Sequence, residues 1–144
     1  MIVTMTEAQE LSNHIWSNRN PTTMFEIELP IELTNGNDGR GTKWFNSAKL
    51  RKEMEQTIRL MIIKREPYEY PVNIRITRVL GKNQRLWDAD SILRGNAKEL
   101  IDSIVSVGWL HDDGPKWVVE VTADQDATQR DNGPKTIVRF SAAR

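Results

Sequence analysis

The 144-residue chain contains no cysteine, which excludes disulfides, thiolate catalysis and cysteine-ligated zinc and fits a reducing compartment. No apolar run approaches the roughly 18 residues that span a bilayer, and no signal peptide is visible at the N-terminus. A soluble, cytoplasmic protein without a membrane partner is therefore expected. Net charge is also lacking: 20 basic residues balance 20 acidic ones, so the total gives no argument for a nucleic-acid partner. With 38% hydrophobic and 28% charged residues, the composition excludes a disordered chain, and the length suits one domain with a real core.

The charges that are present are unevenly placed. Between Arg40 and Arg65 stand eight Lys/Arg (Arg40, Lys43, Lys49, Arg51, Lys52, Arg59, Lys64, Arg65) against Glu53 and Glu55. Such a face either tracks phosphates or is a solvated helix surface. Hydrophobic periodicity orders the rest. Thr6 to Trp16 reads as a short helix with Thr6 as cap and Gln9 completing a capping box. Phe25 to Leu29 alternates as a strand ended by Pro30, and Asn35 to Gly41 is a loop. A helix starting at Ser47 carries Leu50, Met54, Ile58, Met61 and Ile62 on one face. Val72 to Leu80 alternates as a strand closed by Gly81. Ser91 to Val107 reads as a second amphipathic helix, stopped by Gly108. Trp117 to Val121 and Thr136 to Phe140 read as two more strands, joined by a polar stretch rich in Asp and Gln. The expectation is an α+β fold: a single domain with a small mixed sheet flanked by two helices, β-α-β-α-β-β, over residues 25–144. Residues 1–24 form an N-terminal helical extension.

The chemistry-bearing stretch is Asp88-Ala89-Asp90, whose carboxylates share one side if the backbone is extended. Asp112-Asp113 follows the second helix, and a strand-helix-strand path could return this pair to the first. Clustered carboxylates suit Mg²⁺, which takes one or two of them and leaves room for waters and phosphate. The same residues also read as helix capping by Asp90 and ordinary turn chemistry in Asp112-Asp113-Gly114-Pro115.

Three segments in order, Trp87-Asp88-Ala89-Asp90-Ser91-Ile92, Lys98-Glu99-Leu100-Ile101-Asp102-Ser103-Ile104 and Gly108-Trp109-Leu110-His111-Asp112-Asp113, resemble the RusA family of Holliday-junction resolvases. That family's signature is Asp-x-Asp-Asn opening a helix, a lysine, a further Asp, and a Gly-aromatic segment ending in an Asp pair. Leu29-Pro30 and Phe45-Asn46-Ser47-Ala48 extend the likeness, which covers about residues 25 to 140. The resemblance implies a homodimeric endodeoxyribonuclease that makes paired nicks in four-way DNA with Mg²⁺, Mn²⁺ substituting. It makes Asp88, Asp90 and Asp113 the metal-binding acids and Lys98 the essential lysine that steadies the scissile phosphate or the developing charge, with Arg94 as its rival. Arg40, Lys43, Lys49 and Arg94 would contact DNA. If phage-encoded, the protein would act in the host cytoplasm. The chain departs from the pattern at Ser91, which replaces the asparagine, in a longer Asp90-to-Lys98 interval, and in neutral charge. The alternative is a branched-DNA-binding protein without cleavage, or a structural or regulatory protein of the same fold.

His111 beside the Asp pair is a metal ligand or proton carrier, or else a surface turn residue; His14 is a weaker candidate. The loop at Asn35 to Gly41 lacks a calcium loop's closing glutamate, since Asn46 stands there, and lacks a P-loop's Gly-Lys-Ser/Thr ending. Trp44 and Trp87 are candidates for stacking on unpaired bases, whereas Trp109 and Trp117 fit the core. Val79, Leu80 or Leu110 would supply apolar surface to a dimer interface.

Overall fold

The structure, a computed structural model, describes residues 23–34, 43–61, 63–88 and 91–143, and of residues 43–47 the backbone alone. The expected helix at Thr6–Trp16, with His14, falls outside them, as do the loop at Asn35–Gly41, with Arg40, and Asp90.

Four strands, β1 (Thr23–Leu29), β2 (Val72–Val79), β3 (Val118–Asp126) and β4 (Lys135–Ala142), form one mixed sheet in the order β1-β4-β2-β3. β4 pairs antiparallel with both β1 and β2, whereas β2 and β3 are parallel. The crossover between the parallel strands carries α2 (Ser91–Arg94) and α3 (Ala97–Ser106); α1 (Lys43–Leu60) lies between β1 and β2 in sequence. The fold is α+β. No helix among the described residues is long and apolar enough to cross a membrane.

Alternation decides which face of the sheet is covered. Ile74 and Ile76 of β2, Val138 and Phe140 of β4, and Ile27 and Leu29 of β1 join Met54 and Ile58 of α1 and Leu100 and Ile104 of α3 in one core. The opposite face of β2 and its neighbours is polar. There Arg75 pairs with Asp124, Arg139 with Glu26, and Thr77 donates to Asp124. The two long helices meet through Ser103, whose Oγ donates to the Arg51 carbonyl at 3.0 Å, and through Ser106, whose Oγ donates to Glu55 at 2.8 Å.

Four local expectations are corrected. The first helix starts at Lys43 rather than Ser47, because Gly41 and Thr42 are the last poor helix formers before it. β3 runs five residues past Val121, so the stretch rich in Asp and Gln is largely strand. Its polar side chains are accommodated because Asp124 and Gln125 take their partners from β2. The helix expected from Ser91 to Val107 is two helices, broken at Gly95-Asn96. The break is tertiary in origin: a Cβ at Gly95 would stand 2.2 Å from the Thr34 carbonyl oxygen, so only glycine lets the segment after β1 pass. Asn96 occupies the N-cap of α3, yet its side chain makes no cap bond; its Oδ1 accepts the Thr34 backbone N–H at 2.8 Å instead. Finally, Val79, Leu80 and Leu110 are buried, at 0%, 0% and 3% exposure, and offer nothing to a partner. The large apolar side chains that do reach the surface include Leu60, Leu86, Leu93 and Val119.

Candidate functional site

Gly108 ends α3 as expected, and the geometry shows why. It takes φ of +90°, a conformation that a side chain disfavours. The Gly108 N–H then donates to Val105 and the Trp109 N–H to Ile104, closing the open carbonyls of the last turn. The chain next drives Trp109 and Leu110 into the core, at 2% and 3% exposure, before turning through His111-Asp112-Asp113-Gly114 into β3. The N–H groups of Trp117 and Val118 both donate to the Gly114 carbonyl, at 2.9 Å each, which closes that turn. Asp113 therefore sits on a short polar turn held at both ends.

The structure places Lys98 in the first turn of α3, its Nζ 3.6 Å from Asp102, one helical turn on. Lys98 and Asp113 share the rim of a hollow of about 260 Å³ whose apolar walls are Leu93, Ala97, Ile101, Val118 and Val121. Burial raises the Asp113 pKa above its ordinary 3.8, the negative charges of Asp102 and Asp112 add to the rise, and Lys98 opposes it. Asp102, Lys98 and Asp113 are thus one electrostatic group. From spacing, Asp102 reads only as a register marker; its position four residues after Lys98 on a helix was the available signal.

Asp88 belongs to a different anchor. It is exposed, follows Trp87, and its carbonyl accepts the Ser91 N–H at 3.0 Å, at the mouth of α2. Trp87 is tied to Gln125 near the C-terminal end of β3, whereas the turn of Asp113 leads into Val118 at the N-terminal end. Those two anchors lie seven residues apart along the strand, about 23 Å. Helix α2, which Asp88 introduces, reaches the hollow through Leu93. Among the described residues no group of three or more His, Cys, Asp or Glu side chains is close enough to hold a metal ion. Asp90, between Asp88 and α2, lies outside the described residues.

Arg94 is exposed at the end of α2, and Lys49 is exposed on α1 together with Arg51 and Lys52; of Lys43 only the backbone is described. Ser91, which stands where the family pattern has asparagine, is the first residue of α2 and fully buried, and its Oγ has no hydrogen-bond partner among the described residues. Trp87 is not an open stacking platform: the Arg78 guanidinium lies 3.5 Å over its ring. His111 is bonded to Glu69 at 2.9 Å and packs 4.6 Å from the Trp117 ring, an arrangement that accounts for it as a surface turn residue.

The acids around Lys98 give a stability test. Because the folded-state pKa of Asp113 lies above the ordinary value, its ionisation opposes folding. The penalty is absent below the ordinary pKa, grows as pH rises toward the folded value, and is complete above it. In EDTA, Asp113→Asn should therefore melt above the parent protein at pH 7, and the gap should close by pH 3. An equal gap at both pH values would show that ionisation of Asp113 is not opposed in the folded protein.

No protein-family model matches the chain, and no curated protein matches it.

Proposed function

We propose that the chain is a Mg²⁺-dependent, structure-specific endodeoxyribonuclease of the RusA type, a homodimer that resolves four-way DNA junctions by paired symmetric nicks. The observation that carries this reading is the placement of Lys98 and Asp113 at one rim, with Asp102 3.6 Å from the Lys98 ammonium, at a hollow also lined by Leu93 of the helix that Asp88 introduces. Carboxylate oxygens are the donors a hard divalent ion takes, and burial, with Asp102 and Asp112 nearby, makes the Asp113 charge costly in a way such an ion would relieve. By the resemblance Asp88, Asp90 and Asp113 would hold Mg²⁺; of these, Asp113 lines the hollow with Lys98, and Asp88 introduces the helix whose Leu93 lines it too. When bound, the ion supplies an activated water and stabilises charge on the phosphate.

The chain's own residues account for the rest. Lys98, 76% exposed at its side chain, can leave Asp102 at small cost and set its ammonium against a phosphate oxygen. The exposed cations of α1 offer a path for the DNA backbone. Two opposed nicks on a nearly two-fold junction require two sites at fixed separation, which a C2 dimer supplies.

The test is a gel shift of junction against duplex DNA in Ca²⁺, followed by cleavage in Mg²⁺. Junction-selective binding with symmetric nicks is the expected result; binding without nicks identifies a cleavage-deficient recognition protein, and neither identifies a structural one. Lys98→Ala should slow cleavage about 10²-fold with little loss of junction affinity, whereas Arg94→Ala should mainly weaken affinity. The reverse pattern would transfer the role to Arg94. Replacing Lys43 and Lys49 together by Ala should weaken binding to junctions of every sequence and reduce the salt slope by about two. An unchanged slope would make this face a solvated surface.

A further inference from the structure

The loop from Leu80 to Asp88 has no regular secondary structure, yet it is bound to the sheet by side chains at several points. Arg78, at the end of β2, is only 4% exposed, an unusual position for a guanidinium. One of its nitrogens donates to the Arg85 carbonyl at 2.9 Å and to Gln125 Oε1 at 2.8 Å, while its plane covers the Trp87 ring. Gln125, opposite Arg78 on β3, completes the arrangement. Its Oε1 also accepts the Trp87 N–H at 2.9 Å, and its Nε2 donates to the Trp87 carbonyl at 3.0 Å. A side-chain amide thus pairs with both backbone groups of one residue, as a neighbouring strand would. Further back, Arg130 donates to the Gly81 and Gln84 carbonyls at 2.7 and 2.6 Å.

Keeping Arg78 buried costs desolvation, which lowers its pKa. The interactions that offset this cost converge on Trp87, the residue before Asp88. On the far side, Ser91 and Ile92 are buried at 0% and 1% exposure. Asp88 thus stands between two fixed points, with Asp90 next to the second of them in sequence.

We propose that Arg78 and Gln125 are positioning residues: by holding Trp87 on both its ring and its backbone, they set where Asp88 is presented to a divalent cation. The proposal rests on the nuclease reading for the identity of the cation and extends it to residues that do not touch the cation. Residues behind metal ligands typically change metal affinity or activity 10- to 100-fold when removed.

The test uses Gln125→Leu, which keeps the shape and loses all three amide bonds, and Gln125→Glu, which can still accept from Arg78 and Trp87 but cannot donate to the Trp87 carbonyl. Tb³⁺ alone serves as the cation probe, read through emission sensitised by tryptophan, with melting temperature as the check on folding. Exchange of the Trp87 amide proton reports the clamp itself. Expected for Gln125→Leu are faster Trp87 exchange, Tb³⁺ half-saturation raised about ten-fold, and an equal rise in the Mg²⁺ needed for cleavage, with junction binding in Ca²⁺ unchanged. Gln125→Glu should fall between it and the parent. If Gln125→Leu fails to fold, Gln125→Glu and Arg78→Lys carry the same comparison. Unaltered Tb³⁺ and Mg²⁺ dependence in a folded variant with fast Trp87 exchange overturns the proposal and leaves the nuclease reading standing. A parent protein that binds Tb³⁺ in a clamp-dependent way but cuts no DNA overturns the nuclease reading and leaves the clamp. A parent that binds no Tb³⁺ overturns both.

Discussion

Asp88→Asn and Asp113→Asn should each lower Mg²⁺-supported cleavage of junction DNA by on the order of 10²- to 10³-fold while junction binding in Ca²⁺ stays within a few-fold of the parent. The amide preserves the shape of the carboxylate and removes only its charge, so neither change has a packing reason to unfold the protein. Both residues are exposed. The two variants should differ in one respect. Asp113→Asn removes a carboxylate whose charge burial, with Asp102 and Asp112 nearby, makes costly, and should gain stability without metal, a gain to be measured beside Asp88→Asn. Loss of cleavage in both, with stabilisation in only one, would separate ligand loss from a folding effect. Asp90→Asn belongs in the same series, and cleavage at the parent rate by any of the three would remove that residue from the site.

Trp109→Ala should damage the fold, costing about 3–5 kcal/mol and lowering Tm by about 10 °C or more. Trp109 is 2% exposed and meets the Phe25 ring edge-on at 5.6 Å. Phe25 in turn stacks on Phe140 and lies under the Arg65 guanidinium, so the indole joins the end of α3 to β1 and β4. Its N–H also closes the last turn of α3, and that bond is backbone and survives the substitution. Trp109→Phe should therefore cost much less than alanine. Thermal melts of the three proteins check this directly. A fall in cleavage of Trp109→Ala at temperatures where it remains folded would show that the buried Trp109-Leu110 pair also holds the Asp113 turn in place.

How far such residues could be identified in advance depends on the range of the forces that place them. Strands β1, β2 and β4, the body of α1 and the stop at Gly108 were legible in the amino-acid sequence, because alternation, 3.6-residue spacing and a glycine free to adopt positive φ are properties of a few neighbouring residues. Much of the core followed for the same reason: Ile27, Leu29, Met54, Ile58, Ile74, Ile76, Leu100 and Ile104 are periodic apolar positions and are buried, whereas Leu50 and Met61 of the same helix face are only half-buried. From the residues alone Asp113 reads as one of a carboxylate pair or as turn chemistry, and Lys98 was marked only by the resemblance to the resolvase family. Their shared rim is tertiary, because α3 and the turn before β3 form it together.

The remaining features were decided at long range. The break at Gly95-Asn96 exists because Thr34, 62 residues before Asn96, runs against it. That contact gives α3 its own start, with Lys98 in its first turn beside Asp102. β3 extends through Asp124 and Gln125, which local propensity reads as loop, because Arg75, Thr77 and Arg78 on the neighbouring strand bond them. Trp87 reads as a surface aromatic until Gln125, 38 residues away, takes both its backbone groups and Arg78 covers its ring. Periodicity determines which side chains turn inward; only the packed sheet determines which polar groups, distant in sequence, find each other, because a buried donor or acceptor must be satisfied by whatever the fold brings beside it.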